Sequence, residues 1–468
     1  MIFNRTKVIA TIGPSCSQKT TLKKMLQQGV NAFRINMSHG DKEAKQSLFE
    51  TINSLETLTG EKPCVVADLA GPKIRVRSIL PNFNLKKKQK VNIVSGGKAD
   101  VETIGVSREI RFTKVEKGAR IKINDGKIQL KVLDKKSIHK LECVTEIGGL
   151  VEDGKGVNFP GVMLGLPALT KQDKEDLKLA IKEKADWVAL SFVRKAKDKN
   201  EIDKILKKHN AHIPIIAKIE KWEAIQELDN IVKKFDAIIV ARGDLGVEMP
   251  QAQVPLMQKK IIEKANKQGK PVIIATQMLE SMISEPVPTR AEVNDIANAI
   301  FDGADALMVT GETAMGNYPL EVIKVLKNVI VETERTIDFD TVRQNIGNQN
   351  TADAISRATS EVAQDLNIKC IVTMTHSGST ARMIARYRPN RRIVALTPRP
   401  ETSRRLSIVW GVTPFIIKKY QYTDDVPTIV GKELLERKLL KAGKKYVVTG
   451  GVPIGIPGTT NYLSIQTT

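Results

Sequence analysis

Aromatic residues make up only 4% of this 468-residue chain, and its 52 acidic residues are outnumbered by 74 lysines and arginines. The first scarcity removes the clustered stacking platforms on which single-stranded nucleic acid is held. The second leaves a formal net charge of +22, which draws the molecule toward anions such as nucleotides, phosphorylated metabolites or nucleic acid. The basic residues are spread along the chain rather than gathered. The charge is therefore read as a lysine-rich surface, with no specific nucleic acid expected. Cysteine is also sparse: Cys16, Cys64, Cys143 and Cys370 lie far apart. No C-x-x-C spacing offers a zinc or iron–sulfur site, and no dense framework points to secretion. Each thiol reads as a small buried hydrophobe.

Long apolar runs are missing too. None approaches the roughly 20 residues that cross a bilayer, so no membrane association is expected. Met1 to Thr6 runs into a strand-like segment with no signal-peptide core, which predicts a cytoplasmic protein. The length suggests about three domains.

What the chain does contain is a strand–helix rhythm. Short β-branched runs recur at Lys7–Gly13, Asn31–Ser38, Pro63–Leu69, Trp187–Val193, Pro214–Ile219, Ala237–Leu245, Pro271–Gln277 and Ala306–Glu312. Each is followed by a more polar helical stretch, the pattern of parallel strands joined by crossover helices. Eight such units suit a (β/α)8 barrel. The third step, from 63 to 187, is about 90 residues too long for one crossover. An insert is expected there, with short β stretches and turn signals at Ser95-Gly96-Gly97 and Asn124-Asp125-Gly126. After a polar segment at 341–351, a further α/β pattern begins, with strands near Cys370–Met374, Ile393–Leu396, Phe415–Ile417 and Tyr446–Thr449. The expected architecture is a (β/α)8 barrel (1–71 and 168–338), an inserted small β-barrel lid (72–167) and a C-terminal α/β domain (339–468).

In such a barrel, function gathers at the C-terminal ends of the strands, where polar residues are found. They are Arg34, Asn36, Ser38 and His39 on strand two, Asp68 on strand three, Lys218 and Glu220 on strand five, and Arg242 and Asp244 on strand six. Strands seven and eight add Thr276, Gln277, Glu312 and Thr313. Alternation puts Arg34, Asn36 and Ser38 on one side. Glu220 and Asp244 are two hard oxygen ligands for one divalent cation. Lys218 beside them suits charge developing on a phosphoryl group or an enolate. A buried Lys–Glu–Asp salt-bridge network is the structural alternative.

Long blocks resemble the pyruvate kinase family in one order. They include TKVIATIGPSC (6–16), FRINMSHG (33–40), DLAGPKIR (68–75), AKIEKWEA (217–224), ARGDLGVE (241–248), GKPVIIATQMLESMI (269–283), PTRAEVNDIANAIFDGADALMVTGETAMGNYP (288–319) and HSGSTARMIARYRP (376–389). The resemblance implies a glycolytic phosphotransferase acting on phosphoenolpyruvate and ADP, assembled as a homotetramer. It implies Mg²⁺ or Mn²⁺ at Glu220 and Asp244, with Lys218 steadying the phosphoryl group in transfer and Arg34 holding the substrate phosphate. Gly243, Asp244 and Thr276 are expected to receive the substrate carboxylate, and Thr276 to face the enolate. His39, Arg75 and Lys155 match positions facing the nucleotide.

One departure stands out. The usual member holds K⁺ near Asn36, Ser38 and Asp68 with a following threonine, and has glutamate in G-P-E-I-R. Here those positions are Leu69 and Lys73. The expectation is that the Lys73 ammonium does the work of K⁺, so that K⁺ is not required; a lysine pointing to solvent is the plain alternative. In the C-terminal region, Thr375, Ser377, Gly378, Ser379 and Thr380 open a helix after a strand, opposite Gly458-Thr459-Thr460-Asn461. That pattern fits a phosphorylated allosteric effector, or simple helix capping. Another metal-dependent barrel enzyme of phosphoenolpyruvate or pyruvate is the main functional rival.

Overall fold

The computed structural model describes residues 4–77, 82–97, 100, 102–339, 350–456 and 458–468. The polar segment read as a linker lies almost wholly outside them.

The first strands are β1 (Lys7–Ile12), β2 (Ala32–Asn36) and β3 (Cys64–Leu69). An excursion then carries β4 (Asn82–Leu85), β5 (Lys90–Ser95), β6 (Thr103–Val106), β7 (Arg120–Ile123), β8 (Ile128–Ser137), β9 (Lys140–Ile147), β10 (Gly149–Glu152) and β11 (Val157–Asn158). The chain returns through β12 (Trp187–Leu190), β13 (Ile215–Ile219), β14 (Ala237–Ala241), β15 (Val272–Ala275) and β16 (Ala306–Val309). The strand order β1-β16-β15-β14-β13-β12-β3-β2 closes a ring in which every pair is parallel.

The barrel strands read as continuous apolar runs because both of their faces are buried. Along β1, Val8, Ala10 and Ile12 pack outward under the helices. Ile9 points into the ring beside Ala32, Val66, Ile239, Ile273 and Met308. The ring is a packed core, and Ile408 of the C-terminal region joins it.

The excursion forms a six-stranded sheet, β11-β7-β8-β9-β5-β6, and a two-stranded one, β10-β4. Both enclose one apolar core that includes Phe83, Ile93, Phe112, Ile121, Leu130 and Val151. Among the described residues the strands form these two sheets rather than one continuously bonded ring. Asn124, Asp125 and Gly126 turn β7 into β8 with positive φ of 52°, 54° and 85°, values that Asn, Asp and Gly tolerate best.

The C-terminal sheet has the order β19-β18-β17-β20-β21, with β17 (Cys370–Met374), β18 (Arg392–Thr397), β19 (Val412–Ile416), β20 (Lys445–Gly451) and an antiparallel edge strand β21 (Thr460–Thr467). It is tied to the barrel by buried polar contacts. Arg388 meets Asp305 at 3.2 Å and Lys7 donates to the Val412 carbonyl at 2.7 Å. Arg404 pairs with Asp186 at 2.8 Å. No helix among the described residues is long and apolar enough to cross a membrane.

Two details correct the sequence reading. The run Ala237–Leu245 is not one strand: β14 stops at Ala241 and a helix, Arg242–Glu248, starts at once. The first turn of that helix places the Gly243 N–H on the Thr276 hydroxyl of the neighbouring strand end, at 2.8 Å. The segment Thr460–Thr467, of which only Thr460 and Asn461 figured in the sequence reading, is an edge strand, β21, whose few apolar residues and mostly half-exposed faces give little strand signal.

Candidate active site

The mouth of the barrel opens into a cavity of about 870 Å³, lined by residues from many strand ends. Arg34, Asn36, Ser38, His39, Asp68, Leu69, Lys73, Arg75, Lys218, Glu220, Asp244 and Thr276 all border it. A neighbouring cavity of about 1030 Å³ shares Lys73, Asp244 and Thr276 and adds Gly243.

A chain of charges crosses the floor. The Arg34 Nε donates to Asp68 Oδ2 at 2.7 Å, and Arg34 Nη1 reaches Thr11 Oγ1 at 3.1 Å. Lys218 Nζ lies 3.2 Å from Asp68 Oδ2 and 3.0 Å from Glu220 Oε1. Asp68 and Glu220 are each only 1% exposed. Burial alone would raise the Asp68 pKa, but Lys218 and Arg34 outweigh it and hold the carboxyl below its ordinary value. Burial likewise works against the Lys218 charge, yet Asp68 and Glu220 raise its pKa. Glu220 goes the other way: burial, joined by the Asp244 carboxylate, pushes it up against the opposing pull of Lys218.

That rise bears on whether a metal fits. A buried carboxylate whose charge a second nearby carboxylate disfavours, with oxygen donors on both, suits a hard divalent cation. Among the described residues no three His, Cys, Asp or Glu side chains gather as a complete metal cage. Glu220 and Asp244 would supply two positions and leave the rest to substrate oxygens and water, an open site of the kind Mg²⁺ occupies beside phosphates.

Lys73 reaches one of these acids. Its Nζ sits 3.4 Å from Asp244 Oδ1 and 5.9 Å from the centre of the Phe192 ring. It borders the same cavity as Asn36, Ser38 and Asp68, but Asp244 is the carboxylate it pairs with among the described residues. A side chain at Gly156 would meet Lys73 Cε at 3.2 Å, so the glycine leaves room for the lysine stem.

Thr276 has φ of 68° and Gln277 of 55°. Left-handed backbone at such residues costs on the order of 1–3 kcal/mol each and persists only where its surroundings impose it. The Thr276 hydroxyl accepts from the Gly243 N–H at 2.8 Å and donates to the Ala275 carbonyl at 2.6 Å. Helix start and strand end are thereby joined.

Lys155 is placed differently from the rest. Its ammonium pairs with Glu152 at 3.4 Å, and it does not border the cavity, although its carbonyl accepts from Val76 N at 2.8 Å. Arg75 donates to the Gly154 carbonyl at 2.8 Å. In the C-terminal region, Thr375 Oγ1 accepts from Gly378 N at 2.9 Å, Ser377 Oγ reaches Ser379 Oγ at 3.1 Å, and Thr380 meets Thr460 at 2.8 Å. Burial first, then Arg399 and Lys419, lowers the pKa of His376 in this loop.

Sequence reasoning missed Ser191, whose Oγ accepts from Lys218 at 2.8 Å and reaches Asp68 Oδ1 at 3.3 Å. It also missed the Phe192 N–H, which donates to Glu220 Oε2 at 2.7 Å. The strand-end rule applied to β12 would have found Ser191. A backbone N–H has no residue type by which to announce itself.

Residues 3–323 match the family described as pyruvate kinase, barrel domain, and residues 353–466 match pyruvate kinase, alpha/beta domain. The chain belongs to the pyruvate kinase family. It is similar to pyruvate kinase 2 of Synechocystis sp., with 39% identity over 467 residues, 99% of this chain and 79% of the relative. The pyruvate kinase of Staphylococcus aureus (strain MRSA252) is 39% identical over 470 residues, 99% of this chain and 80% of that one. A crystal structure of a pyruvate kinase from Cryptosporidium parvum superposes with a TM-score of 0.92 at 32% identity, covering 99% of this chain and 96% of that one. As a pyruvate kinase, the protein is a glycolytic phosphotransferase whose substrates are phosphoenolpyruvate and ADP. Pyruvate kinases generally work with Mg²⁺ and K⁺.

Proposed function

We propose that the cavity at the barrel mouth is where the phosphoryl group passes from phosphoenolpyruvate to ADP, with K⁺ replaced by the Lys73 ammonium. The observation that carries this reading is the convergence of Arg34, Lys73, Lys218, Glu220, Asp244 and Thr276, distant in sequence, on one cavity.

Glu220 and Asp244 hold one Mg²⁺ or Mn²⁺. Such an ion, when bound, neutralises phosphate and enolate oxygens. Arg34 grips the substrate phosphate, and Lys218 offsets the charge that builds as the bond from phosphorus to the enolate oxygen breaks. A new bond forms to a terminal phosphate oxygen of ADP. Gly243, Asp244 and Thr276 orient the substrate carboxylate, and the enolate carbon takes a proton from water beside Thr276. That protonation gives pyruvate and draws the reaction toward ATP.

His39 and Arg75, which border the same cavity, face the nucleotide. Lys155, whose side chain lies outside the cavity, joins them on an inward swing of the excursion. The excursion, 72–167, acts as a lid between the barrel segments 1–71 and 168–338, and 339–468 forms the effector domain. The loop Thr375, Ser377, Gly378, Ser379 and Thr380 takes a phosphorylated effector, a reading supported by the basic surroundings of His376. A homotetramer is carried over from the resemblance. A cytoplasmic setting is supported by four free cysteines.

The lysine substitution is supported by placement: a fixed cation beside Asp244 in the cavity that Asn36, Ser38 and Asp68 also border. In K⁺-free, Na⁺-free buffer the protein should turn over phosphoenolpyruvate and ADP at nearly its full rate. Lys73→Glu should lose about 10²-fold without K⁺ and regain much of it when K⁺ is added. Strong stimulation of the parent protein by K⁺ would refute the substitution while leaving the phosphoryl-transfer site intact.

A further inference from the structure

Arg242 stands at the start of the helix that presents Gly243 and Asp244, yet its side chain turns away from the acids. It is 7% exposed and reaches under the neighbouring strand end. Its Nη2 donates to the Thr276 carbonyl at 2.7 Å and the Gln277 carbonyl at 3.0 Å, and its Nε lies 3.3 Å from the same Thr276 oxygen. On the far side Nη1 meets Asp295 Oδ2 at 2.5 Å.

The carbonyl contacts fall on two consecutive residues with positive φ, Thr276 and Gln277. A left-handed threonine is unfavourable, so something must impose it. One nitrogen, Nη2, donates to both carbonyls of the turn while Nη1 holds Asp295, a set of fixed directions that a planar guanidinium presents and a shorter-reaching, rotating ammonium does not. We propose that Arg242 is a positioning residue for the reaction: its guanidinium clamps the Thr276–Gln277 turn and so fixes where the Thr276 hydroxyl and the Gly243 N–H point. The inference rests on the reading that Thr276 faces the enolate.

The test is proton exchange at the pyruvate methyl group, with the Mg²⁺-loaded enzyme and ATP in D₂O. The C–H bond breaks, the proton passes to solvent and a deuteron returns. Rates are normalised to Mn²⁺-binding sites, so an unfolded fraction does not count. Arg242→Lys should slow exchange and turnover together, about 10²-fold, with Mn²⁺ affinity unchanged. Combined with Thr276→Ala it should add nothing to the single Thr276→Ala loss. Asp295→Asn, which keeps the guanidinium but removes its counter-charge, should give a milder loss of the same kind, about tenfold. Parental exchange in Arg242→Lys, or losses that multiply in the double variant, would overturn the clamp. Parental exchange in Thr276→Ala would overturn the Thr276 assignment beneath it, and the two failures are told apart by which single variant stays fast.

Discussion

Arg34, Asp68, Lys218 and Glu220 form an alternating row of cations and carboxylates, with successive contacts of 2.7, 3.2 and 3.0 Å. Such a row keeps Lys218 charged although it is buried, because two carboxylates outweigh the loss of water. Lys218→Met preserves the length of the stem and removes the charge. Turnover should fall about 10²–10³-fold, while Mn²⁺ titration should still find a binding site at Glu220 and Asp244. A variant that lost both together would assign Lys218 to holding the acids rather than to the transferring group. At this scale the sequence named nearly every charged group at the mouth, because charge in an apolar strand end is conspicuous. It could not name Ser191 or the Phe192 N–H, whose importance lies in where they point.

Between elements, one set of contacts joins the excursion to the end of the barrel helix that carries the acids. Asn158 of β11 donates to Glu248 Oε1 at 2.8 Å, and Lys221 meets the same oxygen at 2.5 Å. Lys122 of β7 donates to the Val247 carbonyl at 2.6 Å. All three hold the C-terminal end of the helix Arg242–Glu248, whose first turn carries Gly243 and Asp244. Glu248→Ala removes the shared acceptor and leaves the Lys221 ammonium without it. On the proposed closure of the excursion, the variant should close less firmly, raising the KM for ADP about tenfold and letting water compete for the phosphoryl group. Comparing pyruvate formed with ATP formed would reveal this; an unchanged ratio and KM would show that the grip has no part in closure. The strands were legible from their β-branched runs, and their ends were overextended for one reason. In a barrel the residues just past a strand remain inside the pocket, so their composition still looks like strand while their backbone already turns.

Over the whole molecule, the spacing of apolar runs was enough to read the closed ring and the oversized third step. The docking of the C-terminal region was not legible, because it uses dispersed polar residues such as Lys7, Asp186, Asp305 and Arg388. Lys7 gives this docking a pH signature. Burial lowers its pKa from the ordinary 10.5 to about 8. Below pH 8 the lysine is protonated folded and unfolded alike, so the burial penalty is present in full. Between pH 8 and 10.5 the unfolded chain binds more protons than the folded one, so this group's contribution to stability rises with pH, by up to roughly 3 kcal/mol. Relative to Lys7→Met, the parent's thermal midpoint should climb by a few degrees over that interval; a constant difference would mean that Lys7 does not titrate there. The four thiols have a different consequence. Burial pushes Cys143 and Cys370 up to about 12 and raises Cys16 and Cys64 as well. Buried and with scarcely any sulfur in the reactive anionic form, the thiols should take up an alkylating reagent only as the chain unfolds, so that labelling reports on folding.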